Sequence, residues 1–250
     1  MAITVRSRTK QLEERKVHLN PVSLLQGQYG RLILHGLVLT IELAVCAWLL
    51  AMVLAIVLAV IRLTDRPALR RIVIAYVAYH RNVPTLVQLM VWYFGIPALV
   101  SEQTQVWLAR YNSEFLLGLI ALGMCQAAYF SEDIRGGLRA LGPGQGEAAR
   151  SLGLTYLGAM RHVILPQALR HAAPALTNNS ILLFKNTSLA MAIGLPELTY
   201  AIREVESESF RTFECYMIAS VLYLSGSLLL MALGGWIGKR YRIGRVRVTA

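Results

Sequence analysis

The feature that most limits how this chain folds is the run at residues 32–61, thirty positions in which only His35 and Glu42 are acidic or basic. About 20 mostly apolar residues in helical form cross the roughly 30 Å of bilayer hydrocarbon, and non-helical backbone exposed there leaves its polar groups without partners. The run therefore predicts a transmembrane helix with length to spare for tilt. Residues 84–100, 115–130, 178–195 and 216–237 are further apolar stretches of spanning character. Pro84 disfavours a helical conformation at Val83, so residues 72–81 read as a kinked or surface-lying lead-in to the second span. The fourth stretch is the weakest by hydropathy, because it holds Asn178, Asn179, Lys185 and Asn186. The fold expected is all-α: a polytopic membrane helix bundle with five predicted transmembrane helices. A polar basic tail (1–31) precedes one membrane domain (32–238), and a basic tail (239–250) follows it.

Charge then orients the bundle. The chain carries 25 basic and 14 acidic residues, a net +11, yet only 16% of its residues are charged and 56% are hydrophobic. On a soluble fold such an excess suggests nucleic acid; on an apolar chain it is a topology signal. The connection 62–71 holds Arg62, Arg66, Arg70 and Arg71. The long connection 131–171 holds Arg135, Arg139, Arg150, Arg161 and Arg170, and the C-terminal tail holds Lys239, Arg240, Arg242, Arg245 and Arg247. The alternate connections hold Arg110, Arg203 and Arg211 against Glu102, Glu114, Glu197, Glu204, Glu206, Glu208 and Glu214. The first set belongs in the cytoplasm, which puts the C-terminus inside and, with five spans, the N-terminus outside. The tail residues Arg6, Arg8, Lys10, Arg15, Lys16 and Arg31 pull the other way. The N-terminus has no short apolar core with a cleavage site, so no removable signal peptide is expected.

Catalytic signatures are missing from the sequence. There is no G-x-x-x-x-G-K-[ST], no H-E-x-x-H and no G-x-S-x-G. His18, His35, His80, His162 and His171 are dispersed, and Cys46, Cys125 and Cys215 lack metal-ligand or disulfide spacing, so small buried hydrophobes are expected of them. No enzyme activity, cofactor or metal is expected of this chain alone.

The long cytoplasmic connection carries the function. It reads Gly144-Gln145-Gly146-Glu147-Ala148-Ala149-Arg150-Ser151-Leu152-Gly153-Leu154-Thr155, then Val163-Ile164-Leu165-Pro166-Gln167-Ala168. Residues 145–152 favour helix, Gly153 can take the positive φ that ends one, and Thr155 suits the N-cap of a second. Pro166 closes that segment or opens the next. A short helix–turn–helix results, with Ala148 and Ala149 keeping one face narrow enough for a groove, and Glu147 and Arg150 able to pair with its residues.

This pattern resembles the EAA loop of permease subunits from type I ABC importers: E-A-A, a glycine four residues on, then hydrophobic-x-L-P. Glu147, Ala148, Ala149, Gly153, Leu165 and Pro166 fall in register, and Val163 stands where the family usually has isoleucine. The resemblance runs from about residue 36 to residue 239. Arg81-Asn82-Val83-Pro84-Thr85-Leu86-Val87-Gln88 resembles F-R-[GN]-x-P-x-x-V-Q, with His80 for phenylalanine. Residues 127–137 resemble A-A-Y-x-x-E-x-x-R-G-G, and Lys185-Asn186-Thr187-Ser188-Leu189 resembles K-D-T-S-L, with Asn186 for aspartate. These segments point to the polar amino-acid branch, in wording closest to permeases for glutamate and aspartate.

What the resemblance implies is an inner-membrane permease subunit that pairs with a second permease, identical or not, over two ABC ATPase subunits, and receives substrate from a periplasmic solute-binding protein. The EAA hairpin would dock on the ATPase, while Arg135 and Arg139 face anionic lipid or that ATPase. Lysine is costly at mid-membrane, so Lys185 should face the bundle or a cavity, pairing with Glu42 or Glu132 or attracting an anionic substrate. Lys185, Asn186, Thr187, Ser188 and Glu132 are the candidates for the substrate path; Asn178 and Asn179 either line it or bond between helices. The other class of reading is an ATPase-independent secondary transporter or channel, which often shows inverted repeats; none is seen here.

Overall fold

A computed structural model describes residues 20–240 apart from positions 63, 65, 111 and 143. The basic tail residues Arg6, Arg8, Lys10, Arg15, Lys16, Arg242, Arg245 and Arg247 lie outside the described residues. Every described element is helical: α1 (Pro21–Leu24), α2 (Gly27–Arg62), α3 (Pro67–Asn82), α4 (Thr85–Leu99), α5 (Glu102–Arg110), α6 (Ser113–Ala140), α7 (Gly144–Ser151), α8 (Tyr156–Ala159), α9 (Leu165–Asn186), α10 (Leu198–Ser209) and α11 (Thr212–Arg240).

Three of these, α2, α6 and α11, are long and apolar enough to cross a membrane, and the bent run Met160–Ile193 with Leu198–Ser209 makes a fourth if counted as one span. The second expected span is shorter than a bilayer. Helix α4, some 22 Å long at 1.5 Å per residue, continues α3 across a break at Val83–Pro84. The expected fourth span is displaced. Its helix begins at Leu165, ends at Asn186 and passes into a 3-10 segment, Thr187–Ile193. Hydropathy misses the first half because Gln167, Arg170 and His171 dilute it. The backbone stays helical through that half even though Pro174 lies within it; Pro166 sits in the first turn of α9.

Prolines shape two helices in the same way. A π-helical turn, Val91–Gly95, precedes Pro97, and another, Met160–Ile164, precedes Pro166. A proline removes one ladder donor and crowds the carbonyl four residues back, and a widened turn accommodates both.

The bundle centres on α2 against α6. The stripe Gly36, Thr40, Leu43, Ala47, Ala51, Ala55 and Ala59 faces inward on α2, and small side chains at helical spacing let two backbones approach closely. Ala51, Ala55 and Ala59 pack on Ala127, Phe130 and Ile134 of α6. Further along the same stripe of α6, α9 crosses so tightly that a Cβ on Gly137 would stand 2.2 Å from the Ala168 carbonyl oxygen. Helix α11 packs on α9 where Gly226 meets Phe184 and Gly234 meets Thr177.

Side-chain bonds identify the two ends. Arg62, at the end of α2, pairs with Glu132 near the end of α6, which gathers the basic connections at one end. At the other, the Asn20 N–H donates to Glu214 Oε1 (2.8 Å), Arg211 Nη1 donates to Ser23 Oγ (2.8 Å), and the Tyr93 hydroxyl donates to Glu114 Oε1 (3.0 Å). The chain at residue 20 therefore lies at the acidic end.

Candidate coupling and translocation site

The hairpin forms as its residues dictate. Helix α7 ends in a Schellman motif: Gly153 takes φ +77°, the Leu154 N–H donates to the Ala149 carbonyl (3.2 Å), and the Gly153 N–H donates to the Arg150 carbonyl (2.9 Å). The Thr155 hydroxyl accepts from the Gly158 N–H (3.2 Å), capping α8. Pro166 opens α9, so the hairpin runs through one π turn directly into a bundle helix. Ala149 alone of the E-A-A triplet is buried; Glu147, Ala148 and Arg150 are exposed. Leu152 is 81% exposed beside them, an apolar side chain at the hairpin tip that the motif does not single out. Leu165 packs against the Ala127, Phe130 and Ile134 cluster, while Pro166 is exposed.

The other family-like segments turn out to be joints. Pro84 has no N–H, so the carbonyl of His80, four residues back, loses its helical donor. Gln88 replaces it: its Nε2 donates to the His80 carbonyl (3.0 Å) and the Val83 carbonyl (2.8 Å), and its Oε1 accepts from His80 Nδ1 (2.5 Å). Cys125 Sγ also donates to the His80 carbonyl (3.7 Å), tying the break to α6. In the segment 127–137, Ala127 and Ala128 are fully buried, Gly137 allows the α9 crossing, and Glu132 accepts from both Arg62 and Arg135. Arg135 Nη1 has no partner among the described residues. One residue on, Asp133 Oδ2 accepts from Asn179 Nδ2 (2.7 Å), and Gln126 Nε2 donates to the Asn179 carbonyl (3.0 Å). Asn179 thus bonds between helices, while Asn178 is exposed.

The candidate path residues are only partly brought together. Lys185 is exposed in the last turn of α9 and makes no ion pair among the described residues: Glu42 is exposed on α2, and Glu132 is held by its two arginines. An expected Lys185–carboxylate pair is therefore not formed. Thr187 is buried and its hydroxyl donates to the Phe184 carbonyl (2.6 Å), and Ser188 Oγ donates to the Lys185 carbonyl (2.7 Å). These hydroxyls satisfy carbonyls freed where the α-helix tightens into the 3-10 segment.

Sequence reasoning missed the most heavily bonded residue, Glu197. Fully buried at the N-cap of α10, its carboxylate accepts from the N–H groups of Thr199 and Tyr200 (3.0 Å each), the Tyr223 hydroxyl (2.9 Å) and the Thr40 hydroxyl (3.3 Å). Thr40 Oγ1 in turn accepts from the Leu198 N–H (3.0 Å). A Cβ on Gly36 would stand 2.8 Å from that of Ala201, so α2 and α10 are in backbone contact here. The available sequence signal was an acid one residue before a helix; its partners on α2 and α11 are 157 and 26 residues away. All three cysteines are free; Cys125 and Cys215 are buried, as expected, whereas Cys46 is only half-buried on α2. Among the described residues, no group of three or more His, Cys, Asp and Glu is placed to hold a metal.

Comparison with known proteins converges on one family. Residues 47–243 match the binding-protein-dependent transport system inner membrane component. The probable amino-acid permease protein YxeN of Bacillus subtilis (strain 168) is 34% identical over 191 residues, 76% of this chain and 83% of that protein. The glutamate/aspartate import permease protein GltJ of Escherichia coli (strain K12) is 30% identical over 212 residues, 83% of this chain and 86% of that protein. A crystal structure of an amino acid ABC transporter with histidines superposes with a TM-score of 0.74 and 31% identity, over 89% of this chain and 99% of that one. The match to the family's model and to these relatives spans the helix bundle and the hairpin of α7 and α8, and the chain belongs to the binding-protein-dependent transport system inner membrane components.

Proposed function

We propose that this chain is the permease subunit of an ATP-driven importer of polar amino acids, with residues 32–238 as its membrane domain crossing five times. The observation that carries the reading is the hairpin: Glu147, Ala148, Arg150 and Leu152 stand exposed on a capped scaffold that continues into α9. A rigid element with an unpartnered mixed surface suits docking on a soluble partner, here the ABC ATPase. Leu165, just past the hairpin, packs into the bundle core, so displacement of α7 and α8 passes along the chain to α9, and through the close contacts at Gly137, Gly226 and Gly234 to α6 and α11. At Gly137 the contact is backbone on backbone, and at Gly226 and Gly234 the α11 backbone presses on the Phe184 and Thr177 side chains, so little slack is left to absorb the motion.

Lys185, Asn186 and Ser188 remain our candidates for the substrate path, at the break between α9 and its 3-10 extension; Thr187 supports that break from inside. Glu132, with Arg62 and Arg135, is better suited to an ion-pair lock at the cytoplasmic end. An unpaired lysine near the path favours an anionic substrate, in keeping with the resemblance to glutamate and aspartate permeases. Glu204 and Glu208 on the exposed face of α10 offer the solute-binding protein a surface at the opposite end. ATP hydrolysis belongs to the ATPase, and a second permease subunit completes the path.

Reconstituted uptake tests the reading. With binding protein and ATPase present, Glu147→Lys abolishes ATP-dependent uptake while the binding protein still captures substrate. Wild-type uptake in that variant removes the coupling role, and uptake without any ATPase removes the importer reading altogether.

A further inference from the structure

A groove of about 660 Å³ runs between α2, α9 and α11 at membrane depth, and the transport reading makes no use of it. Its walls are Trp48 and Met52 of α2, Leu176 and Ser180 of α9, and Leu229 and Leu233 of α11. The few polar side chains along it are already satisfied. Ser180 Oγ donates to the Leu176 carbonyl (2.7 Å) and accepts from Trp48 Nε1 (2.8 Å), Thr177 donates to the Ala173 carbonyl (2.8 Å), and Ser225 donates to the Val221 carbonyl (2.7 Å). The groove therefore offers nothing to a polar occupant. On α11 it extends from Leu222 to Ile237, about 22 Å at 1.5 Å per residue, more than the roughly 15 Å depth of one leaflet's hydrocarbon.

Helical register says what caps it. The groove face of α11 passes through Gly226, Leu229, Leu233 and Ile237, steps of three and four residues, and the next position in that series is Arg240. On α9 the face passes through Leu176 and Ala173, and one turn earlier stands Arg170. Both arginines are exposed, and both stand at the end where Arg62 and Arg135 gather. The opposite mouth, near Leu37 and Leu222, neighbours the Glu197 knot and has no such cation in register. An apolar trough with two cations at its cytoplasmic mouth alone is complementary to one molecule type, an anionic phospholipid of the cytoplasmic leaflet.

We propose that this groove holds an acyl chain of such a lipid, with its phosphate against Arg240 and Arg170. The inference needs only the orientation of the bundle and does not depend on which solute is carried. The lipid would fill the space that α2 and α11 leave over α9, and so brace the helix that continues from the coupling hairpin.

Native mass spectrometry of the full chain, purified with any subunits that accompany it, tests this after delipidation and titration with phosphatidylglycerol or phosphatidylcholine. The wild type should retain phosphatidylglycerol in preference. Arg240→Gln and Arg170→Gln should each weaken that retention roughly fivefold and leave phosphatidylcholine unaffected. Ser225→Trp should lose both lipids, and Leu224→Trp, on the neighbouring exposed face, should lose neither. Ala44→Phe fills the same groove from α2 and serves if Ser225→Trp fails to fold. Equal retention across the arginine variants overturns the headgroup assignment. Efficient Ser225→Cys cross-linking between two copies overturns the lipid as occupant, because a second subunit then fills the groove.

Discussion

The proposed coupling hairpin and the Glu197 knot are built on opposite rules. In the hairpin, the side chains that carry the proposed function are exposed, and the bonds that hold its shape run between near neighbours: Leu154 to Ala149 and Gly153 to Arg150 through the backbone, and Gly158 to the Thr155 hydroxyl. In the knot, every bond is made by a buried side chain, and three helices distant in sequence meet on one carboxylate. The first region can lose side chains without losing its fold; the second cannot lose one without stranding the others. A site meant to engage a partner keeps its groups unpaired, whereas a joint consumes them.

The largest stability effect is expected at the joint. Glu197→Ala strands two backbone N–H groups in a buried space, while the Tyr223 hydroxyl keeps the Thr199 hydroxyl as a partner. Each unsatisfied group costs about 1–3 kcal/mol, so a loss of about 2 kcal/mol or more follows, read as a lower thermal midpoint of the purified protein. A midpoint equal to wild type would show the carboxylate to be dispensable and would erase the contrast drawn here. Gly137→Ala comes next. Its Cβ meets backbone, not a flexible side chain, and such overpacking costs about 1–3 kcal/mol. If α9 instead slides without loss of stability, the tight crossing is no constraint on how the hairpin moves the bundle.

On the hairpin the ordering inverts. Leu152→Ala removes an 81% exposed side chain, so folding stability should stay within about 0.5 kcal/mol. An interface hot spot costs more than about 1 kcal/mol when truncated, so Leu152 as an anchor predicts at least about fivefold weaker association with the ATPase in a titration of the two purified parts. Lost stability with intact association would make Leu152 part of the scaffold and not of the docking surface.

How much of this was legible in sequence follows from the same contrast. The hairpin was readable down to the cap at Thr155 and the positive φ at Gly153, because its determinants lie within a few residues of one another. The apolar stretches were readable as helices for the same reason. Two kinds of feature were not. Helix ends inside the bundle moved where prolines are absorbed by π turns, so α9 begins at Leu165, thirteen residues before the hydropathy window opens at residue 178. Roles within recognised segments also stayed hidden. Gln88 reads as part of a pattern, but its task, supplying the donor that Pro84 denies to His80, depends on a fold-back eight residues long. The knot lay furthest out of reach, since no local pattern announces that Glu197 meets Thr40 and Tyr223.

Lys185 falls between the two classes, and the smallest expected effect sharpens the distinction. It is exposed like a hairpin residue, yet it stands within the bundle at the last turn of α9, where a cation complements the helix C-terminus. If it acts only on its own helix end, Lys185→Met lowers stability by a few tenths of a kcal/mol and leaves the selectivity of uptake alone. If it faces a substrate carboxylate across water, the attraction is about 1 kcal/mol at 4 Å, roughly fivefold in affinity. The expected outcome is the second: in reconstituted uptake, Lys185→Met raises the KM for an acidic amino acid about fivefold, leaves kcat near wild type, and changes the KM for a neutral polar amino acid little. Lys185→Arg should restore most of the difference, since it keeps the charge. An equal rise for acidic and neutral substrates would mean that the variant disturbs the break between α9 and its 3-10 extension, and Lys185 would then join Glu197 among the joints.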